Sequence, residues 1–294
     1  MQHRRDFLMT GLGLVASTSA FPLLAAARKD DPVAALRAVE EHGNGRLGAF
    51  VLDTASGRSF GWRQHERFTH CSSFKLSLAA MMLAGHDTGT ISLDRKLHWT
   101  SADLLGHSPV TSAHVATGLS VRHLARAALI ESDNTAANAL LKAYGGPAAV
   151  TRFWRSLGDK VSRLDRYEPD LNVTPPGTAL DTSTPAAMAA TVRTLLYGKR
   201  LSTSSRATLS EWMRAVATGT DRIRAAFPQG WVSGDKTGTG PGTYVDLAFG
   251  GPVGRPPLII AAYFEPAVKR PLIDPAATAV LADVGRVAVQ YRRP

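Results

Sequence analysis

Three short stretches of this chain hold residue types that could attack and cleave an acyl bond. Ser72 and Lys75 stand three apart at the start of an Ala/Leu-rich segment, a spacing that sets hydroxyl and ammonium on one helical face. A lysine so placed can take the proton of the serine, and the helix N-terminus beside them favours a developing oxyanion. Ser132-Asp133-Asn134 is a second polar triplet ahead of a helical pattern, where it would also serve as an N-cap. The third stretch, Lys236-Thr237-Gly238-Thr239-Gly240, ends a predicted strand and alone would read as a tight turn. A Ser-x-x-Lys pair is expected by chance in about half of such chains, the other two motifs far less often. Their joint, ordered occurrence points to serine-based covalent chemistry.

To act together these stretches must be carried to one place. Val33, Leu36 and Val39 have the spacing of one helical face from Asp31 to His42, stopped by Gly43-Asn44-Gly45. Leu47–Leu52 and Ser59–Trp62 read as a hairpin around Ala55-Ser56-Gly57. From Ser72 to about Gly219 the pattern is mostly helical, with segments Ser72–Gly85, Val121–Glu131, Asn134–Tyr144, Pro147–Leu157, Pro185–Leu196 and Ser205–Ala217. Extended runs return at Trp231–Lys236, Tyr244–Phe249 and Leu258–Phe264, and a last amphipathic helix covers Ala276–Tyr291. The order predicts an α/β fold whose sheet domain is discontinuous, residues 28–66 and 220–294, with an all-α domain over 67–219 inserted between its halves. The cleft between them is the place for a site.

Composition narrows the partners. The 294 residues are 44% hydrophobic and 20% charged, ordinary globular values. The net charge of +10 comes from scattered arginines without a basic block or a nucleic-acid motif, so it argues for attraction of small carboxylates and against nucleic acid. One cysteine, Cys71, excludes an internal disulfide and any multi-Cys metal site. The nine histidines form no metal-ligand motif; the pairs His65/His70 and His107/His114 lack a carboxylate at ligand spacing, and neither metal nor other cofactor is expected. Residues 1–27 combine Arg4-Arg5, an apolar run diluted by Gly, Ser and Thr, and Ala25-Ala26-Ala27, an export signal cleaved near Ala27 rather than a membrane anchor. Arg4-Arg5-Asp6-Phe7-Leu8 resembles the twin-arginine consensus, with ordinary Sec export the alternative; either predicts a periplasmic protein that meets the export machinery.

With Ser72-x-x-Lys75, Ser132-Asp133-Asn134 and Lys236-Thr237-Gly238 in this order, the chain resembles the class A serine β-lactamases over roughly Asp31 to Tyr291. A fourth stretch, Arg166-Tyr167-Glu168-Pro169-Asp170-Leu171-Asn172, matches the family's omega-loop motif, with Asp181 placed to pair with Arg166 across a loop spanning 166–181. The resemblance implies a five-stranded antiparallel sheet flanked by N- and C-terminal helices, and a β-lactam substrate. It implies Ser72 as nucleophile, Ser132 as proton relay to the lactam nitrogen, and backbone N–H groups of Ser72 and Thr239 as oxyanion hole. Lys75 and Glu168 remain alternative acceptors of the Ser72 proton, while Glu168 activates the hydrolytic water. Asn134 would orient the acyl side chain, Asn172 the water, and Lys236, Thr237, Gly238, Thr239 and Arg222 would gather the substrate carboxylate.

Several positions depart from the family pattern. His107 stands where many members carry an aromatic gate before Ser108-Pro109-Val110-Thr111, which predicts weaker stacking on substrate. Val216-Ala217-Thr218-Gly219 replaces the more frequent Asn-Thr-Thr-Gly and puts one buried hydrogen bond in doubt. Cys71 matches a position that is disulfide-bonded in a carbapenem-hydrolysing subgroup, but Gly240 occupies the partner position, so carbapenem hydrolysis is not implied. Cys71 itself reads as a small buried hydrophobe. Penicillins with some cephalosporins, hydrolysed by a monomer, are the expectation. Two related readings keep the same serine: a D-Ala-D-Ala peptidase, which has no use for Glu168, and a sensor that stays acylated, which would need a membrane signalling segment not seen in the sequence.

Overall fold

The computed structural model describes residues 31–268 and 272–292; the export signal expected over 1–27 lies outside the described residues. Five antiparallel strands form the main sheet: β1 (Gly45–Asp53), β2 (Ser59–Trp62), β3 (Trp231–Gly240), β4 (Thr243–Pro252) and β5 (Leu258–Pro266). Their spatial order is β2-β1-β5-β4-β3, so the C-terminal hairpins complete a sheet that the N-terminal hairpin begins. Strand β3, the carrier of the Lys236 motif, is left at an edge. Helices α1 (Pro32–Gly43) and α8 (Pro275–Gln290) lie against one face, and α2 (Phe74–Asp87), α3 (Val121–Ile130), α4 (Asn134–Ala143), α5 (Gly146–Ser156), α6 (Pro185–Tyr197) and α7 (Thr203–Arg214) occupy the chain between the strand groups.

Period-two alternation divides the sheet between two cores. Val245, Leu247, Phe249, Ile259, Ala261 and Tyr263 join the helical core built around α2, while Tyr244, Ala248, Ile260, Ala262 and Phe264 pack with α1 and α8. Strands β4 and β5 are therefore buried on both faces and read in sequence as nearly continuous apolar runs. Helix α2 is buried almost all round, from Phe74 through Ala80, and is the axis on which the helical layer is assembled. Among the described residues no helix is long and apolar enough to cross a membrane.

Of the element boundaries that differ from the sequence expectation, two lie at the future site. Ser72 lies in a 3-10 turn, Cys71–Ser73, that precedes α2, because Cys71 takes a left-handed φ of 45°. Strand β3 does not stop at Lys236 but runs through Gly240. Its glycines serve a close backbone approach rather than a turn. A Cβ on Gly238 would stand 2.8 Å from the His70 carbonyl oxygen and 3.0 Å from the Ser73 nitrogen, and one on Gly240 would stand 2.7 Å from the Asn172 carbonyl oxygen.

Candidate active site

Ser72 is partly exposed in the 3-10 turn, which packs against β3 and the Asp170–Asn172 turn. One turn into the helix, Lys75 is wholly buried and sends its Nζ back to Ser72 Oγ at 3.0 Å, to the Ser132 carbonyl oxygen at 2.8 Å and to Asn134 Oδ1 at 2.5 Å. It also lies 3.0 Å from Glu168 Oε1. Burial lowers the pKa of Lys75, and the charge of Glu168 opposes that shift. A lysine buried in this way holds its proton less tightly than one in water.

The serine triplet serves two ends at once. Asp133, with a β-region backbone, caps α4 by accepting from the Ala136 N–H at 2.8 Å, and it also binds the Val110 and Thr111 N–H groups at 3.0 and 2.9 Å. That pins the 107–111 loop to the helix start. Ser132 takes a left-handed φ of 56°, and Lys236 Nζ donates to its hydroxyl at 3.1 Å. A non-glycine residue in that conformation costs of order 1 kcal/mol or more and is kept where the surroundings dictate it. Asn134 Nδ2 donates to the Gly106 carbonyl oxygen at 2.8 Å. His107 is exposed at the rim, its Nε2 2.9 Å from the Glu131 carbonyl oxygen.

The opposite wall is the segment around Glu168, which has little regular structure beyond a 3-10 turn at Asp170–Asn172. Side chains hold it. Asp181 accepts from the Asp165 and Arg166 N–H groups at 2.7 and 3.0 Å and pairs with Arg166 Nε at 2.6 Å, while Arg166 Nη2 reaches the Val173 carbonyl oxygen at 2.6 Å. Glu168 itself is clamped by a residue the sequence reading missed. Asn138 accepts from the Glu168 N–H at 3.0 Å and donates to its carbonyl oxygen at 2.9 Å. The only sequence clue was its position four residues after Asn134, on the same face of α4. Ser72 Oγ is 3.4 Å from Glu168 Oε1, and Asn172 Nδ2 holds Oε2 at 2.5 Å. The Asn172 Oδ1 atom is buried without a protein donor.

Strand β3 forms the third side. Its alternation sends Lys236 toward Ser132 and sends Asp235, Thr237 and Thr239 to the other face. There Thr237 Oγ1 lies 2.6 Å from Thr218 Oγ1, so the segment that departs from the family pattern still makes a hydrogen bond. Arg222 Nη2 donates to Thr239 Oγ1 at 2.7 Å, and Nη1 donates to the Gly238 and Val245 carbonyl oxygens at 3.0 and 2.7 Å. Donation from arginine leaves the Thr239 hydroxyl proton free to point at a ligand anion. Lys236 has its pKa lowered to about 7, chiefly by burial and then by the charge of Lys75. Cys71 is buried, and burial pushes its thiol pKa up, which keeps it unreactive. A Cβ at Gly240 would lie 2.8 Å from its Sγ. Among the described residues no group of three or more His, Cys, Asp or Glu side chains is arranged to hold a metal ion.

Comparison with known proteins leads to the same chemistry. A profile described as the Beta-lactamase enzyme family matches residues 31–292. The chain is 43% identical over 301 residues to Beta-lactamase L2 of Stenotrophomonas maltophilia, covering 98% of each. It is 42% identical to an imipenem-hydrolyzing beta-lactamase of Enterobacter cloacae, covering 86% of this chain and 87% of that one. Among solved structures it is similar to an ancestral class A beta-lactamase designated GNCA, with a TM-score of 0.84 and 49% identity over 88% of this chain and 99% of that one.

Proposed function

Because the chain belongs to the class A serine β-lactamases, hydrolases that act on β-lactams and confer resistance to them, we propose that it hydrolyses penicillins and some cephalosporins through an acyl-enzyme on Ser72. The observation that carries this reading is the convergence of Lys75 Nζ and Glu168 Oε1 on Ser72 Oγ, at 3.0 and 3.4 Å. Lys75 and Glu168, 3.0 Å apart, act as one proton-accepting unit. Ser72 Oγ attacks the lactam carbonyl as its proton passes to that pair. The oxyanion is received by the Ser72 and Thr239 N–H groups, each such donor being worth about 10²–10³ in rate. Ser132 gives its hydroxyl proton to the departing ring nitrogen and is recharged from the lysines, Lys236 at 3.1 Å being within reach.

Deacylation uses the loop wall. A water accepted by Glu168 and steadied by the free Asn172 Oδ1 attacks the ester, Glu168 takes its proton, and Ser72 leaves with a proton returned. Lys236, Thr237, Thr239 and Arg222 hold the substrate carboxylate beside Gly238, and Asn134 and His107 face the acyl side chain. The Arg166–Asp181 pair keeps the omega loop closed. The enzyme would work as a monomer in the periplasm after export.

Mass spectrometry of the protein mixed with benzylpenicillin tests this reading. The expected course is an adduct at Ser72 that returns to unmodified mass as substrate is exhausted, and none in Ser72→Ala. A persistent adduct would mean a sensor or a peptidase, and labelling of Ser72→Ala would mean a different nucleophile.

A further inference from the structure

The face of β3 turned away from Ser132 hides two acids that the mechanism does not use. Asp246 on β4 stands opposite Thr237 in the register, so its carboxyl and that of Asp235 are diagonal neighbours on one face of the sheet. Both residues are wholly buried. They grip the segment that carries Arg222. Asp246 Oδ2 accepts from the Ile223 N–H at 3.0 Å, the peptide just after Arg222. Asp235 Oδ1 lies 3.3 Å from Arg224 Nε, and Gly219 presses so close that a Cβ there would stand 1.3 Å from Asp235 Oδ2. Yet both oxygens of Asp235 and Oδ1 of Asp246 accept no hydrogen bond.

Two ionised carboxylates are acceptors only, and side by side in a dry interior they repel one another. One proton between them turns two orphan acceptors into a donor and an acceptor. Arg222 and Arg224 face the pair and favour ionisation, as does the charge of Lys236 from the opposite face of the strand on Asp235. Burial outweighs them: it raises Asp235 to about 6, and burial with the charge of Asp235 raises Asp246 well above the carboxylate range.

We propose that Asp235 and Asp246 share one proton at neutral pH, and that Asp246, through the Ile223 N–H, is a positioning residue that sets Arg222 against the substrate carboxylate. Protonated Asp246 donates from Oδ1 to Asp235 while its Oδ2 keeps the Ile223 N–H. The second half of this inference rests on the assignment of Arg222 to the carboxylate site.

The two halves have separate readouts. Infrared difference spectra at pH 7 between the unaltered protein and Asp246→Asn should show a protonated-carboxyl band that the variant lacks; its absence would overturn the shared proton. Asn mimics a protonated Asp, donating to Asp235 and accepting from Ile223, so Asp246→Asn should keep KM for benzylpenicillin within about twofold. Asp246→Ala should raise that KM about tenfold, the worth of one charge-assisted hydrogen bond, and leave KM for benzylpenicillin methyl ester unchanged. Adding Asp246→Ala to Arg222→Ala should then cost nothing further. Equal losses on both substrates would overturn the positioning role, and so would a tenfold loss in the Asn variant, which does not depend on Asp246→Ala folding. An Arg222→Ala variant with unaltered KM for benzylpenicillin would refute the carboxylate assignment instead, and the positioning role with it.

Discussion

The two walls that flank Ser72 are built on opposite principles. The loop wall, residues 163–183, is held by side chains reaching backbone: Asp181 binds two N–H groups and Arg166, Asn138 clamps both the N–H and the carbonyl oxygen of Glu168, and Thr69 meets Thr174 at 2.8 Å. The strand wall, β3, is held by its own ladder, paired with β4 from Trp231 to Gly240, and leaves its side chains free for other work. A ladder fixes only alternation, and one strand thereby serves two subsites, Lys236 toward the nucleophile and Thr237 and Thr239 toward the carboxylate. A loop has no such periodicity, so it can set one carboxylate at a height and angle that no strand offers, at the cost of a tether for every turn. The contrast assigns loop damage to deacylation and strand damage to substrate capture.

The largest test of that contrast is Glu168→Ala. Loss of the base should lower kcat by about 10²–10⁴, with acyl-enzyme accumulating and its formation slowed much less. Stopped-flow burst kinetics read both steps, and an equal loss in acylation would show that the walls do not divide the reaction.

A smaller effect belongs to the strand wall. Lys236, with its pKa lowered to about 7, loses its charge in the free enzyme as pH rises past neutrality. For carboxylate substrates kcat/KM should therefore fall above about pH 7, approaching tenfold per pH unit, while kcat holds longer because the bound anion raises the lysine again. The stability consequence has the opposite sign. The folded value lies below the ordinary lysine value of 10.5, so between about 7 and 10.5 the unfolded chain binds the extra proton and stability increases with pH. Denaturant melts and initial rates across that range should diverge; parallel curves would remove Lys236 as the cause.

What the sequence made legible follows the same division. Ser72, Lys75, Ser132, Asn134 and Lys236 stand out because local spacing on a helix start or a strand carries their geometry, and the five strands of the main sheet and the eight α-helices among the described residues follow from periodicity to within a few residues. Asn138, Asp235 and Asp246 did not stand out. Each acts on backbone or on a partner far along the chain, as Asp246 does on Ile223 and Asn138 on Glu168, and such bonds leave no periodic trace. The glycines of β3, which alone would read as a turn, give no sign in sequence of the surface they admit, the 70–73 backbone and Asn172, because it is distant along the chain.

Gly240 is where the two walls touch, and it gives the smallest and most discriminating effect. A Cβ there meets the Asn172 carbonyl oxygen at 2.7 Å on the loop wall and Cys71 Sγ at 2.8 Å beside the nucleophile. Overpacking of this kind costs about 1–3 kcal/mol, and the thiol, at the end of a one-carbon side chain, has little room to turn. If the loop yields, Asn172 shifts and deacylation slows by about three- to tenfold while KM holds, since a small displacement of a positioning group is felt in rate. If the strand yields, Thr239 and its Arg222 bond move instead, and KM rises while deacylation is spared. The side-chain tethers of the loop are individually softer than a ten-residue ladder, so Gly240→Ala should slow deacylation. Cys71→Ala in the same background should relieve one of the two contacts and recover part of the stability, but not the rate. Full recovery of the rate would assign the obstruction to the thiol and leave the loop wall uninvolved.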